Sequence, residues 1–280
     1  MKKWYAVIGD PISHSLSPQM HSKWFEALNM NATYIPIHVP KEQLHQSINA
    51  LRLLGVSGWN VTIPHKETII PLLDRLSESA KWMGAVNTVV VEKDGTLTGH
   101  NTDGEGFVSS LEEMVGHHLK ELQVLIIGAG GAARGIAFSL KAAGYESISF
   151  TNRTLTTAEK LVKEVGGYKA LTIQSAEESL NDFQLIIQTT PLGMKSAENI
   201  LPISLDLLNP SAIVADIVYN PLLTPFLLQA EKKGAKIVNG LGMFVHQGAL
   251  SFKMWTTEQP DTEQTVEELT RILGGPYVNR

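Results

Sequence analysis

Lys66 and Asp103 are two charged residues in polar motifs that follow predicted strands, and both could exchange protons with a ligand. Lys66 ends a stretch, residues 60–66, that has few charges and much apolar surface. A partly desolvated lysine loses some of its preference for the charged form and can exchange a proton near neutral pH. Read alone, Lys66 would be a solvated lysine at a helix end. Asp103 could pair with Lys66 or cap the helix predicted over 104–115, and these roles are compatible.

Hydroxyl and amide side chains accompany these charges and could bind a hydroxylated or carboxylated ligand. Ser15 and Ser17 follow the first predicted strand, residues 5–8, where α/β proteins place ligands. Ser17 could instead cap the helix predicted over 18–28, and one hydroxyl can do both jobs. Thr62 lies beside Lys66, and Asn87 lies in a strand predicted over 86–91. His65 is interpreted as structural, because a ring nitrogen there can satisfy a backbone group.

A glycine-rich turn at 128–133 lies between a strand-like run, 124–127, and a helix-like run, 134–140. Glycines allow the backbone to come close to a ligand, and the helix start offers free N–H groups and a positive dipole end. This order is typical of a site for a dinucleotide pyrophosphate. The alternative is a tight turn in an ordinary α/β domain.

The next strand-like run ends at Asn152, Arg153 and Thr154. An NAD site usually has an acidic residue here, which binds the ribose 2′-hydroxyl. A guanidinium can instead bind a 2′-phosphate bidentately, whereas a carboxylate would repel it. The sequence therefore predicts NADP as the cofactor, unless Arg153 is an ordinary surface residue.

The elements that must position these residues alternate between strand and helix along the chain. Strands are predicted near 5–8, 33–39 and 58–62, with a hairpin at 86–99. From residue 122 the alternation of strand and helix begins again, with strands predicted near 123–127, 147–151, 184–188, 213–216 and 235–238. This alternation predicts an α/β fold with a doubly wound parallel sheet in the second half. The part after residue 240 is predicted to be helical.

Composition narrows the class of protein. The chain has 280 residues, of which 43% are hydrophobic and 18% charged, enough for one large domain or two modest ones. A net charge of −5 argues against a general nucleic-acid binder. Cysteine is absent, and no spacing of His, Asp or Glu suggests a metal site. His117 and His118 are interpreted as a solvated helix end. No stretch predicts a signal peptide or a membrane span, so we expect a cytoplasmic enzyme.

Seven motifs occur together in an order that resembles the shikimate dehydrogenase family. They are Gly-Asp-Pro-Ile-Ser-His-Ser-Leu-Ser-Pro, Asn-Val-Thr-Ile-Pro-His-Lys, Gly-Ala-Val-Asn-Thr, Gly-His-Asn-Thr-Asp-Gly, Gly-Ala-Gly-Gly-Ala, Asn-Arg-Thr and Asp-Ile-Val-Tyr-Asn-Pro. The resemblance extends from Val7 to about Lys253. It implies reversible reduction of 3-dehydroshikimate to shikimate by NADPH. It also implies a substrate-binding domain, 1–103 completed by C-terminal helices 241–280, an NADP-binding Rossmann domain, 104–240, and a cleft between them.

The resemblance also implies roles for individual residues. Lys66 matches the family's catalytic lysine, with Asp103 as its partner. Substrate-binding roles are implied for Ser15, Ser17, Thr62, Lys66, Asn87, Asp103, Tyr219 and Gln247. Cofactor-binding roles are implied for Glu78, Gly128, Ala129, Gly130, Gly131, Ala132, Asn152, Arg153, Thr154, Thr157, Ile217 and Gly240. No metal is implied, and the assembly is expected to be a monomer or homodimer.

Two other functions fit the same scaffold. A quinate/shikimate dehydrogenase that uses NAD is disfavoured by Arg153, although its substrate fits equally well. A non-catalytic ligand sensor is disfavoured because Lys66 and Asp103 are both present, since function depends on the site rather than on the fold.

Overall fold

The structure is a computed structural model that describes residues 2–116, 120–194 and 200–274. Its contacts divide the chain into two compact units. The first contains residues 1–102 and 247–262, and the second contains 103–246 and 263–280. The interpretation of His117 and His118 as a helix end lies outside the described residues.

The first unit is built on a six-stranded sheet. Its strands are β1 (Lys3–Gly9), β2 (Ala32–His38), β3 (Gly58–Val61), β4 (Arg75–Leu76), β5 (Thr88–Val91) and β6 (Leu97–His100). They lie in the order β2-β1-β3-β5-β6-β4. Helices α1 (Ser17–Ala27), α2 (Leu44–Leu53) and α3 (Glu78–Met83) belong to this unit. The predicted edge position of the strand containing Pro36 is confirmed, because an edge strand tolerates the missing N–H of proline.

The second unit has a parallel six-stranded sheet. Its strands are β7 (Val124–Ile127), β8 (Ile148–Thr151), β9 (Ala170–Leu171), β10 (Leu185–Gln188), β11 (Ile213–Asp216) and β12 (Lys236–Val238). The order β12-β11-β10-β7-β8-β9 is that of a doubly wound nucleotide-binding fold, and it confirms the predicted class. The helices of this unit are α4 (Asp103–Val115), α5 (Gly131–Ala142), α6 (Leu155–Val165), α7 (Ile173–Glu178) and α8 (Pro225–Lys232). The chain continues with α9 (Gly240–Thr256), which the two units divide, and α10 (Thr262–Ile272), which lies almost wholly in the second unit.

The contacts divide the C-terminal helices differently from the expected domain boundaries. Residues 247–262 pack with the first unit, whereas 241–246 and 263–274 pack with the second. Helix α9 is therefore shared, and its later part supplies the first unit with Trp255. The indole lies against Gly58, where an added Cβ would meet Nε1 at 2.4 Å. The assignment of substrate and NADP roles to the two domains stays a prediction.

A cluster of aromatic side chains in the first unit encloses a buried histidine. The His21 ring stacks on Tyr34 with a centroid distance of 4.3 Å and touches Trp24, Phe252 and Trp255. In the described part of the chain, neither ring nitrogen of His21 has a hydrogen-bond partner. Burial lowers the pKa of His21 from 6.5 to about 3. The native fold therefore requires the neutral imidazole.

We expect His21 to make the first unit sensitive to acid. Between pH 6.5 and about 3 the unfolded chain binds a proton that the folded chain excludes. The free energy of unfolding should thus fall as pH falls through this range, by up to about 1.4 kcal/mol per pH unit. Urea unfolding followed by tryptophan fluorescence reports this unit, because all five tryptophans lie in it. His21→Phe keeps an aromatic ring and should flatten the pH dependence. Equal pH slopes in both proteins would contradict this assignment.

Candidate active site

Most of the predicted substrate-binding residues of the first unit lie at one edge of its sheet. This edge is formed by the carboxyl ends of β1 and β3 and is not an edge strand. β1 and β3 are parallel, so the chain leaves both strands at the same edge, towards Ser15 and Thr62. β5 runs antiparallel to β3, and its residue Thr88 pairs with Asn60 near the end of β3. Asn87 therefore lies at this edge too. Because β6 is antiparallel to β5, the segment after His100 returns to the same edge.

Backbone hydrogen bonds hold the loops of this edge together. The Thr62 amide donates to the Ile8 carbonyl at 3.0 Å, and the Asp10 amide donates to the Ile63 carbonyl at 3.0 Å. The Lys66 carbonyl accepts from the Val86 amide at 2.7 Å. The loops that carry Thr62 and Lys66 are therefore connected to their neighbours through the main chain, which makes their positions independent of side-chain rotamers.

Ser17 does not cap helix α1, which the sequence had offered as one of its roles. Helix α1 begins at Ser17 itself, with Leu16 at the N-cap position and no side-chain cap. The capping interpretation of Ser17 is therefore wrong, because a residue inside the first turn cannot accept at the cap position. The Ser17 amide instead donates to the Ser15 hydroxyl oxygen at 3.3 Å. Both serines remain candidates for ligand binding.

Asn87 has a fixed amide orientation. Its Oδ1 accepts from the Thr102 backbone amide at 3.0 Å, and since an N–H can only donate, this atom must be the oxygen. The Nδ2 group then donates to the Thr102 hydroxyl at 2.9 Å and to Gln247 Oε1 at 3.3 Å. Asn87 and Gln247, which were predicted from widely separated motifs, are thus neighbours within the first unit. Both N–H groups of Asn87 are therefore used within the first unit, and a ligand oxygen would bind this amide by replacing one of the two acceptors.

Three polar residues that support Asn87 were not predicted from the sequence. Asn60 Nδ2 donates to the Asn87 carbonyl at 3.1 Å and to the Ser251 hydroxyl at 3.0 Å. The Thr88 and Ser251 hydroxyls are 2.7 Å apart. All three are buried. The available signal was a polar residue within an apolar strand or helix, since buried polar groups are nearly always hydrogen-bonded.

The predicted catalytic pair is divided between the units. Lys66 is half-buried and belongs to the first unit, and half-buried Asp103 begins the second. Asp103 is the first residue of α4, so its carboxylate lies in the first turn, where the helix dipole favours a negative charge. The structural interpretation of His65 is confirmed, because its Nε2 lies 2.7 Å from the Val39 carbonyl oxygen.

The glycine-rich turn of the second unit leaves room for a ligand. Gly128 has φ +111°, and a Cβ there would meet the Thr189 hydroxyl at 2.5 Å, so only glycine fits. Gly130 and Gly131 face open space, with nothing within 4 Å of an added Cβ. Helix α5 begins at Gly131 and has no side-chain cap. Its first N–H groups therefore suit a pyrophosphate, and Ala129 and Ala132 complete the turn.

The segment predicted to bind the 2′-phosphate of NADP follows β8. Asn152 Nδ2 donates to the Thr154 carbonyl at 3.1 Å, and the Thr157 amide donates to the same carbonyl at 3.1 Å. These bonds form the turn into α6. Arg153 is exposed, and among the described residues its guanidinium forms no ion pair. It can therefore reach a ligand without breaking an internal contact.

The residues predicted at the nicotinamide end are divided between the two units. Gly240 and Ile217 are in close contact, since a Cβ on Gly240 would lie 2.1 Å from the Ile217 carbonyl oxygen. Tyr219 stacks on Phe244 at 4.9 Å, and burial raises its pKa. Glu78 lies in the first unit instead, exposed at the start of α3 and paired with Lys81 at 2.8 Å. Its predicted cofactor role gains no support from these contacts.

Comparison with known proteins shows the family to which this chain belongs. Three family models match the chain: the shikimate dehydrogenase substrate binding domain over residues 7–89, shikimate/quinate 5-dehydrogenase over 110–201, and the shikimate 5′-dehydrogenase C-terminal domain over 240–270. The chain belongs to the shikimate dehydrogenase family. The predicted resemblance is thereby confirmed.

Members of the shikimate dehydrogenase family match nearly the whole chain. Shikimate dehydrogenase (NADP(+)) of Lysinibacillus sphaericus is 56% identical over 275 residues, which is 98% of this chain and 100% of that protein. Among solved structures, the Thermus thermophilus shikimate 5-dehydrogenase with NADP(H) and shikimate is 36% identical, covers 97% and 99% of the two chains, and has a TM-score of 0.86. The Listeria monocytogenes enzyme with shikimate and NAD is 36% identical, covers 96% of each chain, and has a TM-score of 0.88.

The described residues contain no group of three or more His, Cys, Asp or Glu side chains that could hold a metal ion. No helix within the described ranges is long and apolar enough to cross a membrane.

Proposed function

We propose that this chain catalyses the reversible, NADP-dependent reduction of 3-dehydroshikimate to shikimate, with Lys66 and Asp103 as the catalytic pair. The observation that carries the proposal is the set of polar groups at one edge of the first unit's sheet, accompanied by an open glycine turn in the second unit. Family membership and the NADP(+) name of the Lysinibacillus sphaericus relative support the same activity.

The first unit supplies a hydrogen-bonding shell suited to a small anionic polyol. Ser15, Ser17 and Thr62 offer hydroxyls, and Asn87 can donate to a ligand oxygen that replaces its Thr102 or Gln247 acceptor. Gln247 adds a second amide beside Asn87. Tyr219, from the second unit, is the remaining member of the proposed shell. Several weak, oriented contacts of this kind select a substrate by the positions of its hydroxyls.

Lys66 is proposed to stabilise and protonate the oxygen of the reacting carbon. NADPH supplies a hydride when bound, and negative charge then develops on the substrate oxygen. An ammonium group next to that oxygen stabilises the charge and can donate a proton. Asp103 orients Lys66 and accepts a hydrogen bond from a substrate hydroxyl.

The cofactor-binding residues fit NADP in two places. The uncapped start of α5 and the open positions at Gly130 and Gly131 suit the pyrophosphate. Arg153, with Asn152, Thr154 and Thr157 around the turn, is proposed to bind the 2′-phosphate. Gly128, Ile217 and Gly240 are proposed to bind along the rest of the dinucleotide, and Glu78 is retained as a weaker candidate.

The protein is proposed to act in the cytoplasm as a monomer or homodimer, without a nucleic-acid partner. The net charge of −5 supports the last point, because general nucleic-acid binders are basic.

One assay tests the activity. Purified protein is mixed with shikimate or quinate and with NADP⁺ or NAD⁺, and absorbance of the reduced nicotinamide is followed. We expect the largest kcat/KM for shikimate with NADP⁺. Greater efficiency with quinate would replace the substrate assignment, and binding of shikimate without turnover would indicate a sensor.

Thr62 provides a test of the substrate shell. Removing one partner from a buried polar contact costs roughly 1–3 kcal/mol, so Thr62→Val should weaken shikimate affinity by roughly 5- to 150-fold. Valine keeps the shape of the side chain, so the thermal midpoint should change little. Thr96→Val in the hairpin turn is a control outside the site. Unchanged shikimate affinity in a folded Thr62→Val protein would remove this residue from the shell.

A further inference from the structure

A buried carboxylate that the proposed mechanism does not use lies at the end of β11. The Asp216 side chain is only 1% exposed. Its Oδ1 accepts from the Val218 amide at 3.0 Å, and its Oδ2 accepts from the Thr224 hydroxyl at 2.7 Å. Within the described residues Asp216 forms no ion pair. Burying an acidic group with only neutral partners costs free energy. We therefore expect Asp216 to have a specific role.

The two bonds of Asp216 close the loop that follows β11. Val218 lies at the beginning of this loop and Thr224 at its end. The Thr224 hydroxyl also accepts from the Leu227 amide at 3.3 Å and so caps helix α8. The carboxylate therefore connects the end of a central strand, the start of the loop and the start of the next helix.

The Gln188 side chain forms similar hydrogen bonds to the loop that follows β10. Gln188 is paired with Asp216 in the parallel register and is a further hydrogen-bonding neighbour of its carboxylate. Gln188 Nε2 donates to the Thr190 and Leu192 carbonyls, each at 3.0 Å. The two loops thus share one buried polar core at the carboxyl ends of β10 and β11. In doubly wound folds this is the end at which ligands bind.

The loop held by Asp216 carries residues of the proposed site. The Val218 carbonyl accepts from the Gly240 amide at 3.1 Å, and the Ile217 carbonyl lies against the Gly240 Cα. Tyr219 follows and packs on Phe244 of α9. A small shift of Val218 would therefore move Ile217 and Tyr219 together.

We propose that Asp216 is a positioning residue, whose ionised carboxylate holds the 217–224 loop so that Ile217 meets the nicotinamide and Tyr219 meets the substrate. The proposal rests on the proposed function, because that function gives Ile217 and Tyr219 their roles.

The protonation chemistry of Asp216 is consistent with this role. Burial raises its pKa to about 6, and the hydrogen bonds from Val218, Thr224 and Gln188 act in the opposite direction. Above that pH the group is ionised and can only accept. An asparagine is neutral, and with Oδ1 on the Val218 amide its NH₂ group could only donate to the Thr224 hydroxyl, which already accepts from Leu227. The charge-assisted acceptance from both donors would then be lost.

The test uses four variants. Asp216→Asn removes an acceptor, and Thr224→Val removes the donor hydroxyl with little change of shape. Thr224→Ser keeps the hydroxyl. Thr172→Val is the matched control, because Thr172 caps α7 in the same unit and its hydroxyl accepts from the Ser175 amide at 3.1 Å. It loses a cap without touching Asp216.

We expect Asp216→Asn and Thr224→Val to weaken shikimate and NADP⁺ together, each by roughly 10-fold or more in KM and in the Kd measured by calorimetry. Thr224→Ser and Thr172→Val should bind both ligands as wild type does. Thr224 is buried and Thr172 is exposed, so Thr224→Val should lower the thermal midpoint more. A purely structural effect is therefore separated from positioning by the ligand affinities of Thr224→Ser, which keeps the hydroxyl.

Three results would overturn the inference. They are wild-type affinities in Asp216→Asn, equal affinities in Thr224→Val and Thr172→Val, and failure of Thr224→Ser to restore binding. If Asp216→Asn does not fold, the comparison of Thr224→Val with Thr224→Ser tests the inference. Failure of the proposed function is distinguishable, because it would appear as wild-type protein that does not oxidise shikimate.

Discussion

Lys66→Ala is expected to lower kcat for shikimate oxidation by roughly 10²-fold or more, as is typical when a positioned acid or base is lost. Shikimate binding should suffer less, because the serine, threonine and amide groups of the same sheet edge remain. The measurement is steady-state kinetics with NADP⁺, together with shikimate affinity from calorimetry. The Lys66 loop is held through main-chain bonds to Val86 and its neighbours, so the variant should fold.

Lys93→Ala is the control for this experiment. Lys93 is an exposed lysine in the hairpin turn of the same unit and should tolerate the change without loss of activity. If Lys66→Ala keeps kcat within a few-fold of wild type while KM rises, Lys66 is only a binding residue. The catalytic assignment would then be wrong, although the substrate assignment would stand.

Arg153→Ala is expected to weaken NADP⁺ by roughly 10- to 100-fold, because a charge-assisted hydrogen bond contributes roughly 1.5–3 kcal/mol. A 2′-phosphate carries about −1.5 to −2 charges at neutral pH, by analogy with other phosphomonoesters. NAD⁺ lacks this group, so its kcat/KM should hardly change. The Arg153 side chain is exposed and has no ion pair among the described residues, so its removal should not affect stability.

Lys160→Ala separates a local contact from a general loss of positive charge. Lys160 is exposed on α6, the helix that follows Arg153, and its Nζ lies 3.8 Å from Glu164. Its replacement should leave both cofactors unaffected. Equal losses for NADP⁺ and NAD⁺ in Arg153→Ala would show that Arg153 does not read the phosphate. A wild-type preference for NAD⁺ would reject the cofactor assignment itself.

The elements that were predicted well are those whose signals are local. The hairpin between β5 and β6 could be predicted because Gly95, at φ +84°, and Asp94, which accepts from the Thr96 amide at 2.9 Å, form a turn from adjacent residues. The five longer strands of the second sheet were located for the same reason, since each contains apolar residues in succession, although β12 begins with the exposed Lys236. The two-residue strand β9 was missed, because Ala170–Leu171 has no length over which a pattern can form.

The site was predictable at the level of motifs and not at the level of contacts. The positions of Ser15 and Thr62 after predicted strands made them candidates, and Asn87 was a candidate within a predicted strand. The contact of Asn87 with Gln247 spans 160 residues, and that of Asn60 with Ser251 spans 191. No periodicity connects positions so far apart. Asp216 was missed as a functional residue for a related reason, since an acidic residue at a strand end looks solvated until its burial is known.

The late position of Ser251 and Trp255 has a consequence for how the chain folds during synthesis. The first hundred residues leave the ribosome first, yet the side chains that pack on Gly58 and bond to Asn60 are made near the end. The first unit can therefore complete its core only after the whole intervening unit has been synthesised. Contacts of such high sequence separation form slowly, because the loop-closure entropy must be overcome first. The second unit consists largely of one continuous stretch of chain and can fold before the first unit is complete. Premature termination near residue 246 would therefore leave the N-terminal hundred residues exposed to aggregation and proteolysis.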